Sequence, residues 1–106
     1  MSGVSILVTT IDAEDKARAL ARAVIARKLA ACVQIWPIVS VYEWQGEFCE
    51  TREFRLEMKH PPEDYAALAA LVRRLHSYET PEILRIDLDH ADADYAAWVA
   101  QSGRKD

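Results

Sequence analysis

Few side chains in this sequence have the chemistry to bind metal or attack a substrate: Cys32 and Cys49, His60, His76 and His90, and a set of aspartates between Asp87 and Asp94. Metal binding needs ligands of these types converging at short distance. The two cysteines form no Cys-x-x-Cys pair and read as free thiols of a reducing compartment. Cys49 lies near Glu47 and Glu50, with Arg52 as the one nearby cation, so nothing around it marks an activated nucleophile. Asp87, Asp89, His90, Asp92 and Asp94 lack the Asp-x-Asp-x-Asp-Gly pattern of a calcium loop. They read as a solvated turn, with Asp92 capping the helix that follows. His60, before Pro61-Pro62, reads as a loop residue. A cysteine hydrolase would need Cys32 or Cys49 beside His76, with Glu79 to orient the ring. No glycine-rich elbow accompanies them, and no Gly-x-Ser-x-Gly, phosphate loop, His-Glu-x-x-His or Gly-x-Gly-x-x-Gly occurs in a chain with only three glycines. The chain is not expected to be an enzyme.

With 106 residues, 51% of them hydrophobic, the chain is expected to form one domain over residues 1–106 whose folding requires no cofactor. Seventeen acidic against thirteen basic residues give a net charge of −4. Nucleic acid is disfavoured as a partner, because the basic pairs Arg27-Lys28, Arg73-Arg74 and Arg104-Lys105 carry no interleaved aromatics and build no basic face. The apolar runs stop well short of the ~20 residues of a membrane span. The first residues lack the basic-then-apolar order of a secretory leader. A cytoplasmic protein with no membrane contact is expected.

Hydrophobic spacing gives the elements that must position these groups. Val4, Ile6 and Val8 alternate as in a strand. Asp12 and Asp15 suggest a helix start of the capping-box kind, and Ala17, Leu20, Ala21, Val24 and Ile25 recur at helical spacing. A long extended run from Cys32 to Trp44 reaches the turn Gln45-Gly46, and Phe54, Leu56 and Met58 alternate on the return strand. If Trp44 faces Glu47, then Val33 falls opposite Met58 and Ile35 opposite Leu56, so the apolar faces coincide. Pro61-Pro62 opens a helix with Tyr65, Leu68, Leu71, Val72 and Leu75 as its buried stripe. Leu84, Ile86 and Leu88 line one face of a further strand. A short helix from about Asp92 carries Tyr95, Trp98 and Val99, and Gly103-Arg104-Lys105-Asp106 is expected to fray. The order is βαββαβ with a terminal helix: an α+β, ferredoxin-like antiparallel sheet with its helices on one face and a long central hairpin.

At ~3.3 Å per residue the run from Cys32 to Trp44 extends roughly 40 Å, more than a small sheet backed by two helices can cover. Its distal half carries Val39, Val41, Tyr42, Trp44 and Phe48. Pro37 suggests a bulge or bend that divides a proximal part from a distal part. Pairing of the distal part with a neighbouring subunit is the simplest way to satisfy it; two shorter strands folded back on a monomer are the alternative.

The sequence resembles the CutA-like divalent-cation (copper) tolerance family. The resemblance rests on Ala30-Ala31-Cys32-Val33, Tyr42-Glu43-Trp44-Gln45-Gly46-Glu47 and the strand from Glu53 to Lys59. It continues through His76-Ser77-Tyr78-Glu79-Thr80-Pro81-Glu82-Ile83 and Tyr95-Ala96-Ala97-Trp98-Val99. It implies a cytosolic homotrimer whose hairpins complete sheets between subunits, and a link to tolerance of copper or another divalent cation. A likeness of the family's trimer to PII-type signalling proteins implies, as an alternative, a scaffold that binds a small metabolite or a protein partner. Copper ligation attributed to some relatives implies Cys32 and His76 as metal ligands, while Val8 and Leu75 stand at two further ligand positions. Two ligands alone rarely hold a metal tightly; a core thiol for Cys32 and a helix-terminal imidazole for His76 weigh more. Trp44, Glu53, Lys59, Tyr78 and Glu79 match polar and aromatic positions near the family's subunit clefts. They read either as a site for a small anionic or zwitterionic ligand or as interface packing.

Overall fold

The computed structural model describes residues 2–102; residues 103–106, where the frayed tail is expected, lie outside them. The elements are β1 (Ser5–Ile11), α1 (Glu14–Ala26), β2 (Cys32–Trp44), β3 (Glu47–His60), a 3₁₀ turn (Pro62–Asp64), α2 (Tyr65–Leu75), β4 (Leu84–Asp87) and α3 (Ala93–Ser102). One antiparallel sheet has the order β2-β3-β1-β4, the ferredoxin-like arrangement that the element order implies. β1 runs through its middle and is buried along its whole length. Leu7 and Ile11 of β1 and Leu56 and Met58 of β3 meet Ala17, Leu20 and Val24 of α1 and Leu68, Leu71 and Val72 of α2 in one core. Among the described residues no helix is long and apolar enough to cross a membrane.

The hairpin register holds along its whole length. Trp44 faces Glu47, Ile35 faces Leu56 and Val33 faces Met58. Gln45 and Gly46 both take positive φ, 51° and 79°, which is the primed turn whose twist suits two joined strands. The bulge expected at Pro37 is absent, since Pro37 pairs with Phe54 in an unbroken ladder. β2 is the outermost strand, and an edge strand tolerates a proline because the missing donor can face the unpaired side.

Other local expectations are corrected. Ala13, not Asp12, occupies the cap position of α1 and supplies no side-chain bond; Asp12 instead pairs with Lys16 at 3.1 Å. Glu14 and Asp15 still place negative charge in the first turn, where the helix dipole favours it. Ile25 and Leu75, read as core, are exposed at the far ends of their helices. Leu84 and Ile86 do share a face, but it is the sheet face away from α1 and α2, and both lie open in the single chain. His60 is no loop residue: it ends β3 and is fully buried. Asp92 does cap α3, accepting the Tyr95 N–H at 3.1 Å.

α1 closes on a turn the sequence does not announce. The Lys28 N–H reaches the Ile25 carbonyl at 2.9 Å and the Leu29 N–H reaches Val24 at 3.1 Å, a Schellman closure, with Lys28 at φ 59° where glycine is usual. Lys28→Gly is therefore expected to raise stability by about 1 kcal/mol, because glycine takes that φ without a Cβ clash. Leu56→Ala is expected to lower it by about 2–5 kcal/mol through loss of buried methyl groups. Guanidinium denaturation followed by far-ultraviolet circular dichroism checks both.

Candidate functional site

The register places the even-numbered residues of β2 and the odd-numbered residues of β3 on the face away from α1 and α2. Ser40, Thr51 and Glu53 share that face midway along the hairpin, and the loop after α2 brings Tyr78 against them. Glu53 is only 9% exposed. Its carboxylate accepts one hydrogen bond from Ser40 Oγ at 2.6 Å and another from the Tyr78 hydroxyl at 2.5 Å, the short lengths of hydroxyl-to-carboxylate bonds. Among the described residues no ion pair is formed by Glu53. A carboxylate so sheltered, held by two neutral donors, keeps lone pairs for a further donor. The Thr51 hydroxyl, directly across from Ser40, is buried without a partner. Burial first, then the bond to Glu53 and its charge, pushes the Tyr78 phenol well above its ordinary value, so it stays a donor.

His76 belongs to the same set. Its Nε2 lies 2.8 Å from the Thr10 carbonyl and its Nδ1 accepts the Tyr78 N–H at 3.0 Å. A carbonyl only accepts, so the proton sits on Nε2, and both ring nitrogens are engaged. The helix-terminal reading of His76 holds in position, as it stands at the C-terminal cap of α2. The chain of bonds runs from Thr10 through His76 and Tyr78 to Glu53 and Ser40, tying β1, the loop, β3 and β2 together.

Cys32 and Lys59 form a second group. They face each other across β2 and β3, and the Lys59 ammonium donates to the Gln34 side-chain oxygen. Cys32 is half-buried, with Tyr95 of α3 close enough to feel it. Lys59 lies opposite Ile6 of β1, whereas His76 is bonded at Thr10. Those four strand positions amount to about 13 Å, with two strand spacings of ~4.8 Å added. Cys32 and His76 are therefore not brought together within one chain, and no group of three metal-ligating side chains occurs among the described residues. Trp44 stands at the hairpin tip, 60% exposed, and Glu79 is exposed in the loop, both outside the Glu53 set.

Sequence reading missed Ser40, Thr51, Thr10 and Gln34. The first two were within reach, because the register that pairs Val33 with Met58 also pairs Ser40 with Thr51, one step diagonally from Glu53. Thr10 contributes only a carbonyl, for which no side-chain pattern exists.

Comparison with known proteins places this architecture. A family model described as CutA1 divalent ion tolerance protein matches residues 5–102. The divalent-cation tolerance protein CutA of Thermus thermophilus is 34% identical over 98 residues, spanning 92% of this chain and 95% of that protein. A solved structure of CutA from Synechococcus elongatus superposes with a TM-score of 0.95 at 33% identity, covering 98% of this chain and 93% of that one. One described as the periplasmic divalent cation tolerance protein CutA from Archaeoglobus fulgidus gives 0.92 at 29%, covering 95% and 99%. With the hairpin, the sheet order and nearly the whole sequence in agreement, this chain belongs to the CutA1 divalent ion tolerance family.

Proposed function

We propose that this chain serves divalent-cation tolerance as a cytoplasmic homotrimer, holding a metal ion or small ligand in clefts between subunits, and that it catalyses no reaction. The distal hairpin carries the reading. Phe48 is 76% exposed, Trp44 60%, Val39 59% and Val41 58%. Beside them runs the open edge of β2, and Leu84 and Ile86 of β4 are exposed as well. Apolar surface and unpaired strand edge together are what a neighbouring copy would cover. The family is named for tolerance and not for a reaction, in keeping with a sequence that holds no catalytic motif.

Copper or another divalent cation would be held by ligands from more than one subunit, since the described residues of one chain bring no three together. Cys32 is the freer of the two ligands the family resemblance points to, because His76 already uses both nitrogens. A second reading, a PII-like signalling or scaffold trimer, is favoured by the Glu53 set. A sheltered carboxylate without a cation, an unpartnered Thr51 hydroxyl and the Tyr78 phenol suit a small ligand with a positively charged group. Lys59, Trp44 and Glu79 would then act at the cleft edge or as interface packing.

Light scattering at low micromolar concentration is expected to give three times the monomer mass, and Val41→Asp to lower it; a monomeric wild type overturns the assembly. Calorimetric titration with Cu(I) and Cu(II) is expected to show binding tighter than millimolar that weakens in Cys32→Ala, and none tighter than millimolar in wild type sinks the metal reading. For the second reading, a thermal-shift screen of amines, amino acids and nucleotides should find a stabilising ligand. Its affinity is expected to fall about tenfold or more in Tyr78→Phe, the loss of one hydrogen bond to a charged group.

A further inference from the structure

Among the described residues Phe48 is the most exposed large hydrophobic side chain. Near the hairpin tip it shares one side of the ribbon with Val41 and Val39, the side on which α1 lies. Glu43 stands across from Phe48 and Glu50 across from Val41, so carboxylates flank this apolar ridge. Neither glutamate enters an ion pair among the described residues. A large ring held out in water near a strand turn is the kind of anchor that an interface buries.

A hollow of matching character opens between α1 and α2, at the end of the body from which the ribbon leaves. Its volume is about 360 Å³, and Ile11, Leu20, Ala23 and Leu75 give it an apolar floor, with Lys16 and Ser77 among its polar members. Leu75 is 46% exposed there. Lys16 is already held by Asp12, but Arg73 and Arg74, which precede Leu75 in the last turn of α2, enter no ion pair among the described residues. The hollow is thus apolar within and cationic beside it, while the ridge is apolar at its crest and anionic at its flanks. Shape and charge are complementary.

We propose that Phe48 of one copy seats in the α1–α2 hollow of a neighbouring copy, with Glu43 and Glu50 against Arg73 and Arg74, a docking that presupposes the assembly proposed above. A copy cannot fill its own hollow. Ile11 lines it and pairs with Phe54, and Phe48 stands six residues farther along β3. At ~3.4 Å per residue that puts the ring about 20 Å beyond its own hollow. Ridge and hollow are different surfaces, so each copy gives a tip and receives one. Such head-to-tail contacts close into a ring when the rotation between copies allows. The hollow belongs to the helix layer, whereas Leu84, Ile86 and the edge of β2 belong to the sheet. The docking therefore adds to the contacts made there and displaces none of them.

The test is cross-linking of the full chain with its native thiols replaced, Cys32→Ala and Cys49→Ala. With Phe48→Cys and Leu75→Cys added together, a short bismaleimide is expected to give covalent oligomers on a denaturing gel, in steps of 12.0 kDa. Either new cysteine alone should give none, and a ladder as strong with one as with both overturns the proposal. In the native chain, Phe48→Ala is expected to raise the concentration at which the oligomer dissociates about tenfold or more. Arg73→Glu with Arg74→Glu should do the same, and adding Glu43→Arg with Glu50→Arg should recover most of that loss. Light scattering on the same samples separates the two claims. A monomeric wild type sinks the assembly and the docking with it, whereas an oligomer without the Phe48–Leu75 cross-link overturns the docking alone. An oligomer that binds an apolar dye, and loses it in Leu75→Asp, also overturns the docking, because the hollow then stands open to a small ligand. Should the cysteine variants fail to fold, the charge reversal and its rescue decide the matter.

Discussion

Thirteen residue pairs join β2 to β3, whereas β1 matches seven positions of that ribbon and β4 pairs with only four of β1. This inequality of strand length governs the molecule. Where all the strands overlap, two helices close a dry core on one face. Beyond Phe54 the ribbon runs on without its third strand, met at its root by Tyr78 on Glu53, and this gives the protomer its 48 × 26 × 21 Å extents. A ladder saturates backbone groups between its own two strands but cannot hide the side chains it displays. The long ribbon is thus at once the best-paired and the least-covered part of the fold.

The Glu53 network lies at the boundary between these two regimes. Glu53 is the residue just beyond the last position at which β1 pairs with β3, and Ser40 sits on the adjacent strand. There the ribbon loses its third strand, and the loop after α2 comes in through Tyr78 and His76 to hold it. A sheltered carboxylate at this point fixes the angle at which the free ribbon leaves the body, because its hydroxyl donors come from separate elements. The same carboxylate is the most exacting polar group on that face, so shape and recognition are drawn from one set of atoms.

Much of this was legible from residue types. The pairing of Val33 with Met58 and Ile35 with Leu56 followed from matching apolar faces, and a wrong register would have inverted every side chain along the ribbon. Glu53, Tyr78 and His76 came from family resemblance, and the structure brings those three into one network. Cys32 and His76 were paired by the same resemblance, yet strand geometry keeps them apart in one chain. Pro37 misled because a proline signals a defect only where both sides of a strand are paired, and sequence alone does not say which strand is outermost. Leu84 and Ile86 share one face as their alternation implies, yet both lie exposed. Alternation tells which residues share a face, not whether the chain itself covers that face. The Lys28 turn was hidden because a residue other than glycine stands at the left-handed position.

Pro37 has a consequence for chains that have just left the ribosome and stand alone. An open outer strand of thirteen residues, rich in valine, isoleucine and aromatics, is a template onto which copy after copy could stack into fibre. A residue with no amide hydrogen in the middle of that rim interrupts any continuous row of new backbone bonds and leaves two shorter stretches on either side. The proline costs the native ribbon no break in pairing, yet it sets a ceiling on how far an unwanted neighbour can zip along it.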